Sequence, residues 1–256
     1  MNVDNEMLSR IETLAIEAGE TIMKIYDEEF TPKYKTDYSP VTEADTEAER
    51  IIISGLAKIL PTVPVVAEEA FAAGHSPKIS GGRFWLVDPL DGTHEFIDKN
   101  GEFTVNIALV ENQRPICGVV HAPALDKTYT GIVGMSACIR TGGSAHNKIE
   151  VRPPPEAGVI VVASRRHGDP KRIEKLLEGR HVSETRYAGS SLKFCLVAEG
   201  EADLYPRFGR TMEWDTAAGQ AVLEAAGGRV TKLDGAPFIY AKAGFENPHF
   251  IAWGGI

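Results

Sequence analysis

"WLVDPLDGTHEF", Trp85–Phe96, places Asp88 and Asp91 on either side of a Pro-Leu pair and follows them at once with Gly92 and Thr93. Two carboxylates held that close repel, and Pro89 stiffens the turn that holds them, so a positive partner is expected between them. Hard divalent cations such as magnesium prefer oxygen ligands, and Pro89 presents the Leu90 carbonyl as a further oxygen beside the two acids. The preceding run "RFWLV" reads as a buried strand, and Gly92 with Thr93 can open a helix N-terminus toward an anion. The same residues also fit a plain turn, since Asp bonds its own backbone and Gly tolerates positive φ.

Outward from this stretch, other acids sit where strands and helices are expected to end. Glu68 and Glu69 follow the short apolar run "VPVVA", Asp45 lies just inside a helix start, and Asp215 opens "WDTAAGQAVLEAAGG". Strand alternation sends adjacent side chains to opposite faces, so Glu68 is taken as the site residue and Glu69 as a solvated neighbour. Asp45 reads equally as the acid of a capping box begun by Thr42, and Asp215 equally as a first-turn acid facing a helix dipole.

The rest of the chain sorts into two halves. Apolar residues at Leu8, Ile11, Leu14, Ala15, Ala18, Ile22 and Ile25 keep the three-four spacing of a helix with one buried face. "TEAERIIISGLAKIL" forms a second helix, stopped by Pro61 and Pro64. Short strands follow, "VPVVA", "RFWLV", "FTVNIALV", "ICGVVHAPA" and "TYTGIVG", clustered as in an antiparallel sheet. After the Pro-rich junction "VRPPPEAG", residues 151–158, strands and helices alternate, which predicts helices covering a second sheet. The expected organisation is an N-terminal α+β subdomain over 1–150, carrying most of the acids, and a C-terminal α/β subdomain over 151–256.

A chain of 256 residues with 43% hydrophobic and 25% charged residues can bury a sizeable core. Its formal net charge of -9 opposes nonspecific attraction to nucleic acid or to an anionic membrane. A polyanionic substrate then needs local rescue by metal ions or by a few placed Lys and Arg. The three cysteines, Cys117, Cys138 and Cys195, lack the spacing of a zinc site or a disulfide framework and read as free thiols in a reducing cytosol. The N-terminal stretch is acidic throughout, unlike a secretory signal, and no apolar run reaches the roughly 18 residues that cross a bilayer. A cytoplasmic protein is expected, with peripheral attachment to the inner membrane as the alternative.

Three segments together carry a resemblance that none carries alone: "VVAEEA", "WLVDPLDGTHEF" and "EWDTAAGQAVLEAAGG". In this order they resemble the signatures of the lithium-sensitive, magnesium-dependent inositol monophosphatase superfamily, which implies a layered α/β fold, an α-β-α-β-α sandwich. "KYKTDYSPVTEAD", "DGTHEFIDKNGEFTVNIALV", "ASRRHGDP" and "GSSLKFCLVAEGEADLYPR" bring the chain closer to the 3'(2'),5'-bisphosphate nucleotidase branch, over residues 33–228. His94 stands where that branch often has Lys, and "SRRH" where it often has Ser-Arg-Ser-His. The resemblance implies removal of the 3'-phosphate of adenosine 3',5'-bisphosphate, which gives AMP and phosphate and recycles a by-product of sulfate assimilation. It implies Glu68, Asp88 and the Leu90 carbonyl as ligands of one magnesium ion, and Asp88, Asp91 and Asp215 as ligands of a second, with a third, weaker ion near Asp45. Asp45 and Thr93 are implied as the catalytic pair that orients and helps deprotonate the attacking water.

Substrate contacts are implied at Glu68, Leu90, Asp91, Gly92, Thr93 and Asp215 and, from the second half, at Ser190, Lys193 and Arg207. Ser190, Ser191 and Lys193 offer hydroxyl and ammonium donors at a predicted helix start, and the Arg207 guanidinium suits a second phosphate. Ser164 to His167 are placed beside the base, although Arg165 and Arg166 fit solvated loop residues equally well. Inositol monophosphatase or fructose-1,6-bisphosphatase activity on the same metal site is the alternative. A monomer or homodimer without nucleic-acid partners is expected.

Overall fold

The computed structural model describes residues 3–28, 31–34, 40–79, 82–153, 155–165 and 169–255. Helix α1, Asn5–Tyr26, begins where the Asp4 side chain accepts the Met7 amide at 2.9 Å, and buries Met7, Ile11, Leu14, Ala15, Ala18 and Ile22 along one face. A short hairpin of β1, Lys33–Tyr34, and β2, Pro40–Val41, leads into α2, Glu43–Ile59. Helix α2 starts with a full capping box, in which Asp45 Oδ2 accepts the Thr42 amide at 2.7 Å and the Thr42 side chain caps the first turn.

Seven strands form the large sheet in chain order: β3 Val65–Ala67, β4 Arg83–Asp91, β5 Thr104–Glu111, β6 Arg114–Ala122, β7 Lys127–Ile132, β8 Ser136–Thr141 and β9 Asn147–Ile149. The β3–β4 pair is parallel and the other pairs are antiparallel. Alternate residues of β4 serve two cores. Trp85 and Val87 join Val105, Ile107 and Leu109 under α1 and α2, whereas Phe84 and Leu86 join Ala108, Val110 and Val120 on the other face. With both faces covered, the strand reads as a continuous apolar run.

The small sheet contains β10 Val159–Ala163, β11 Val182–Tyr187, β12 Leu204–Arg207, β13 Arg229–Lys232 and β14 Phe250–Trp253, ordered β11-β10-β12-β14-β13. Helices α6, Leu192–Ala198, and α7, Ala217–Ala225, lie between the two sheets. Helix α5, Pro170–Leu176, covers the outer face of the small sheet, with Ile173 and Leu176 against Val159, Val161, Leu204 and Ile251. The layers run α-β-α-β-α, as the sequence resemblance implies. Helix α7 comes close to the large sheet over paired glycines. Gly118 of β6 and Gly131 of β7 are register partners, and a Cβ on them would stand 2.6 Å from the Ala218 carbonyl oxygen and 2.9 Å from Val222 Cα.

Several local expectations are corrected. Strand β4 continues through Asp91 instead of ending before Asp88, because a bulge absorbs Pro89, which has no amide to donate; Asp88 pairs with Asn106 and Asp91 with Thr104. Glu68 and Glu69 stand in the first turn of a one-turn helix, α3, Glu68–Ala72, so strand alternation does not separate them. Helix α7 begins at Ala217 after an N-cap at Thr216, which leaves Asp215 in the turn before the helix and not in its first turn. Strands β8 and β9 extend the large sheet beyond the predicted ones. Cys117, Cys138 and Cys195 are free thiols. Among the described residues no helix is long and apolar enough to cross a membrane.

Candidate active site

The bulge in β4 is where the site begins. Gly92 takes φ 92°, a left-handed conformation that resists a side chain, and releases the backbone into α4, Thr93–Ile97. The Thr93 hydroxyl faces Asp45 Oδ1 at 3.4 Å and the Leu90 carbonyl at 3.3 Å, joining α2 to the bulge. Both contacts are long, so one hydroxyl hydrogen is shared loosely between two acceptors. Asp45 is anchored through its other oxygen, which accepts the Thr42 amide and the Thr42 hydroxyl, each at 2.7 Å. One turn further along α2, Glu49 accepts the amides of Glu69 at 2.7 Å and Ala70 at 2.9 Å, which fixes the start of α3 and with it Glu68.

The opposite wall comes from the second half of the chain. Asp215 Oδ2 accepts the Met212 amide at 2.9 Å. Asn247 Nδ2 faces Thr211 Oγ1, the Met212 carbonyl and Thr216 Oγ1 at 3.2, 2.6 and 3.1 Å, and so braces the turn that carries Asp215. Asn106 of β5 bridges the walls: its Nδ2 donates to Asp91 Oδ2 at 3.3 Å and to Ser191 Oγ at 3.0 Å, while Ser191 Oγ donates to the Asp215 carbonyl at 2.7 Å. Ser190 takes φ 42°, and its buried Oγ finds no partner among the described residues. Arg207, at the end of β12, is 9% exposed; its Nη2 donates to the Arg210 carbonyl at 3.1 Å and its Nε is left without a partner.

These elements enclose a cleft of about 460 Å³ lined by Glu68, Asp88, Leu90, Asp91, Gly92, Thr93, Ser190, Arg207 and Asp215, together with Ser164, Glu95 and Met212. Asp45 stands behind Thr93 and is buried. Lys193 departs from the expected placement. It is buried, and its Nζ donates to the carbonyls of Ser190 at 2.5 Å and Ala188 at 3.3 Å, so it holds the Ser190 turn from behind and does not line the cleft. Arg165 is held by Glu102, and Arg166 and His167 lie outside the described residues.

Asp45, Asp91 and Asp215 resist ionisation. Burial raises Asp45 to about 7, against the hydrogen bonds from Thr42, and Glu69 and Glu68 add to the rise. Asp91 rises to about 6, chiefly through burial, with Lys193 drawing it back. Asp215 is pushed well above the usual carboxylate range by burial, then by Asp91 and Glu68. A divalent cation beside these groups would reverse that balance, and a donor set made of carboxylates and a backbone carbonyl is the hard-oxygen chemistry such an ion selects. The residues therefore fit the metal that the motifs imply. Among the described residues the acids line the walls, with no three acidic, His or Cys side chains yet gathered around one point.

Residues 4–252 match the profile of the Inositol monophosphatase family. The chain belongs to this family. Similar proteins include the 3'(2'),5'-bisphosphate nucleotidase CysQ of Escherichia coli (strain K12), 46% identical over an alignment of 249 residues that covers 95% of this chain and 98% of that protein. Among solved structures, CysQ from Bacteroides thetaiotaomicron, a bacterial member of the inositol monophosphatase family, aligns with a TM-score of 0.78 at 37% identity, over 98% of this chain and 97% of the other. An IMPase of Thermotoga maritima aligns with the same TM-score, 0.78, at 29% identity, over 98% and 92%.

Within this inositol monophosphatase fold, Glu49, Asn106 and Asn247 are supporting residues that sequence reasoning passed over. Glu49 repeats Asp45 one helical turn on, and Asn106 is the polar residue inside "VNIALV"; both were detectable signals. Asn247, in "FENPHF", carries no such local mark.

Proposed function

We propose that the protein is a magnesium-dependent 3'(2'),5'-bisphosphate nucleotidase that removes the 3'-phosphate of adenosine 3',5'-bisphosphate, leaving AMP and phosphate. The observation that carries this reading is a single cleft lined by Glu68, Asp88, Asp91 and Asp215 together with Arg207 and Ser190, in a chain 46% identical to an Escherichia coli protein of that name. The acids alone would suit any phosphomonoester. Arg207, a guanidinium in the cleft lining beside the acids, suits a substrate that carries a second phosphate.

Glu68, Asp88 and the Leu90 carbonyl would hold one ion, Asp88, Asp91 and Asp215 a second, and the vicinity of Asp45 a third and weaker one. When bound, divalent cations supply Lewis acidity and offset the charge that builds on the phosphoryl oxygens. The chain's own part is to aim and to accept a proton. Thr93 Oγ1 and Asp45 Oδ1 orient the attacking water, and Asp45 receives its proton through the threonine hydroxyl. Asn106 and Ser191 keep the Asp91 wall in register with the Asp215 turn, so that the water and the scissile bond stay aligned. Water attacks phosphorus directly, the bond to the 3'-oxygen breaks, that oxygen takes a proton from solvent to become the 3'-hydroxyl of AMP, and the reaction clears a by-product of sulfate assimilation in the cytoplasm.

The test is phosphate release from adenosine 3',5'-bisphosphate, inositol 1-phosphate and fructose 1,6-bisphosphate, each in magnesium and in EDTA. Magnesium-dependent preference for the nucleotide is expected. Preference for the inositol or sugar phosphate would refute the nucleotide assignment while leaving the acid site as described, and turnover in EDTA would refute the metal requirement.

A further inference from the structure

Glu102 and Arg165 stand beside the cleft, one from each half of the chain. Arg165 donates from Nη1 and Nη2 to both carboxylate oxygens of Glu102, the latter contact 2.7 Å long, and also from Nη2 to the Tyr187 carbonyl at 3.2 Å. Glu102 Oε2 in turn accepts the Gly189 amide at 2.7 Å. Gly189 is packed so tightly here that a Cβ would lie 2.5 Å from the Glu102 carbonyl oxygen and 2.8 Å from Glu95 Cγ. The next residue is Ser190, which lines the cleft in a left-handed conformation while its hydroxyl oxygen is buried without a partner among the described residues. Lys193 grips the same turn from its buried side through the carbonyls of Ala188 and Ser190.

An ion pair whose arginine side chain is 44% exposed adds little to global stability. Its significance lies in geometry, because the carboxylate it orients also fixes a backbone amide one residue from Ser190. We propose that Glu102 and Arg165 are positioning residues for the nucleotide half of the substrate: they set the Gly189–Ser190 turn that forms the cleft wall against which the ligand rests. Arg165, with its fork occupied by Glu102, is not itself a phosphate ligand. This rests on the nucleotidase reading above.

The experiment compares Glu102→Gln, Glu102→Ala, Arg165→Ala and the double alanine variant in steady-state hydrolysis of adenosine 3',5'-bisphosphate, with inhibition by inorganic phosphate measured alongside. The two single alanine variants are expected to raise KM about tenfold with kcat within about twofold, since misplacement of a contact that the substrate makes in both ground and transition states acts on binding. Glu102→Gln should lose less, because its amide oxygen still accepts the Gly189 amide. The double variant should be no worse than Glu102→Ala, as expected of residues acting through one another. Inhibition by phosphate, which sees the acid-lined end alone, should not move. A fall in kcat at constant KM would mark a merely structural pair and overturn the proposal, as would weakened phosphate inhibition in Arg165→Ala, which would make that residue an anion ligand. Should Glu102→Ala fail to fold, the exposed Arg165 still carries the test. A wild-type protein inactive on the nucleotide would refute the nucleotidase reading itself and this proposal with it.

Discussion

At Thr93 one hydroxyl serves two distant acceptors, Asp45 and the Leu90 carbonyl, and the proposed proton relay to Asp45 would pass through it. Thr93→Ala should lower kcat by about 10²- to 10⁴-fold with KM changed little, and Thr93→Ser should recover most of the loss; an undiminished kcat in steady-state assays would remove Thr93 from the handling of water. Asp215 belongs to the same scale but to a different trade. Its charge is disfavoured by burial and by Asp91 and Glu68, so Asp215→Asn should abolish magnesium binding in calorimetry while raising the melting temperature of the metal-free protein by a few degrees. A lowered melting temperature would mean that the carboxylate is held by more than its repulsive neighbours. The acids of this site were legible because their motifs fix residue type and spacing together. The direction of Lys193 was not, since a lysine at a helix start looks the same whether its ammonium reaches outward to a ligand or, as here, back to the carbonyls of Ala188 and Ser190.

Among the elements, those with strong periodicity were legible and those defined by a partner were not. The buried face of α1 and the capping box of α2 are written in residue spacing. Strands β8 and β9 lie at the outer side of the sheet, where Cys138, Ile139 and Arg140 are only partly buried and alternation fades. Helix α3 is a single turn whose first amides are satisfied by Glu49, a residue twenty positions away for Glu69, so no local pattern announces it. Helix α7 depends on the two glycines beneath it. Gly118→Ala should destabilise the protein by about 1–3 kcal/mol in urea unfolding, because the added methyl meets backbone that cannot swing aside; a neutral result would show that α7 can lift freely from the sheet.

For the whole molecule, burial of acids makes stability depend on pH in an uncommon sense. In the metal-free protein Asp45 and Glu49 sit at about 7 and Asp91 at about 6, above ordinary carboxylates, so between roughly pH 4 and 7 the folded chain retains protons that the unfolded chain has released. Stability then falls as pH rises through that window. His121 works the other way: burial lowers it to about 4, so its contribution is lost as pH falls from about 6.5 toward that value. With several acids set against one histidine, the metal-free protein should melt at a higher temperature at pH 5.5 than at pH 7.5, and magnesium should raise the melting temperature more at the higher pH; the reverse order in calorimetric scans would refute this account of the cleft. The placement of α7 has one more consequence. Asp215 precedes that helix, whereas Asp91 belongs to the sheet on which the helix rests, so the thickness of the interior at Gly118 and Gly131 gauges the gap between acids supplied by the two halves. In the proposed metal site the interior would act as a spacer for the ion, and a single methyl placed there should register as altered magnesium affinity in the folded protein, although no ligand had been touched.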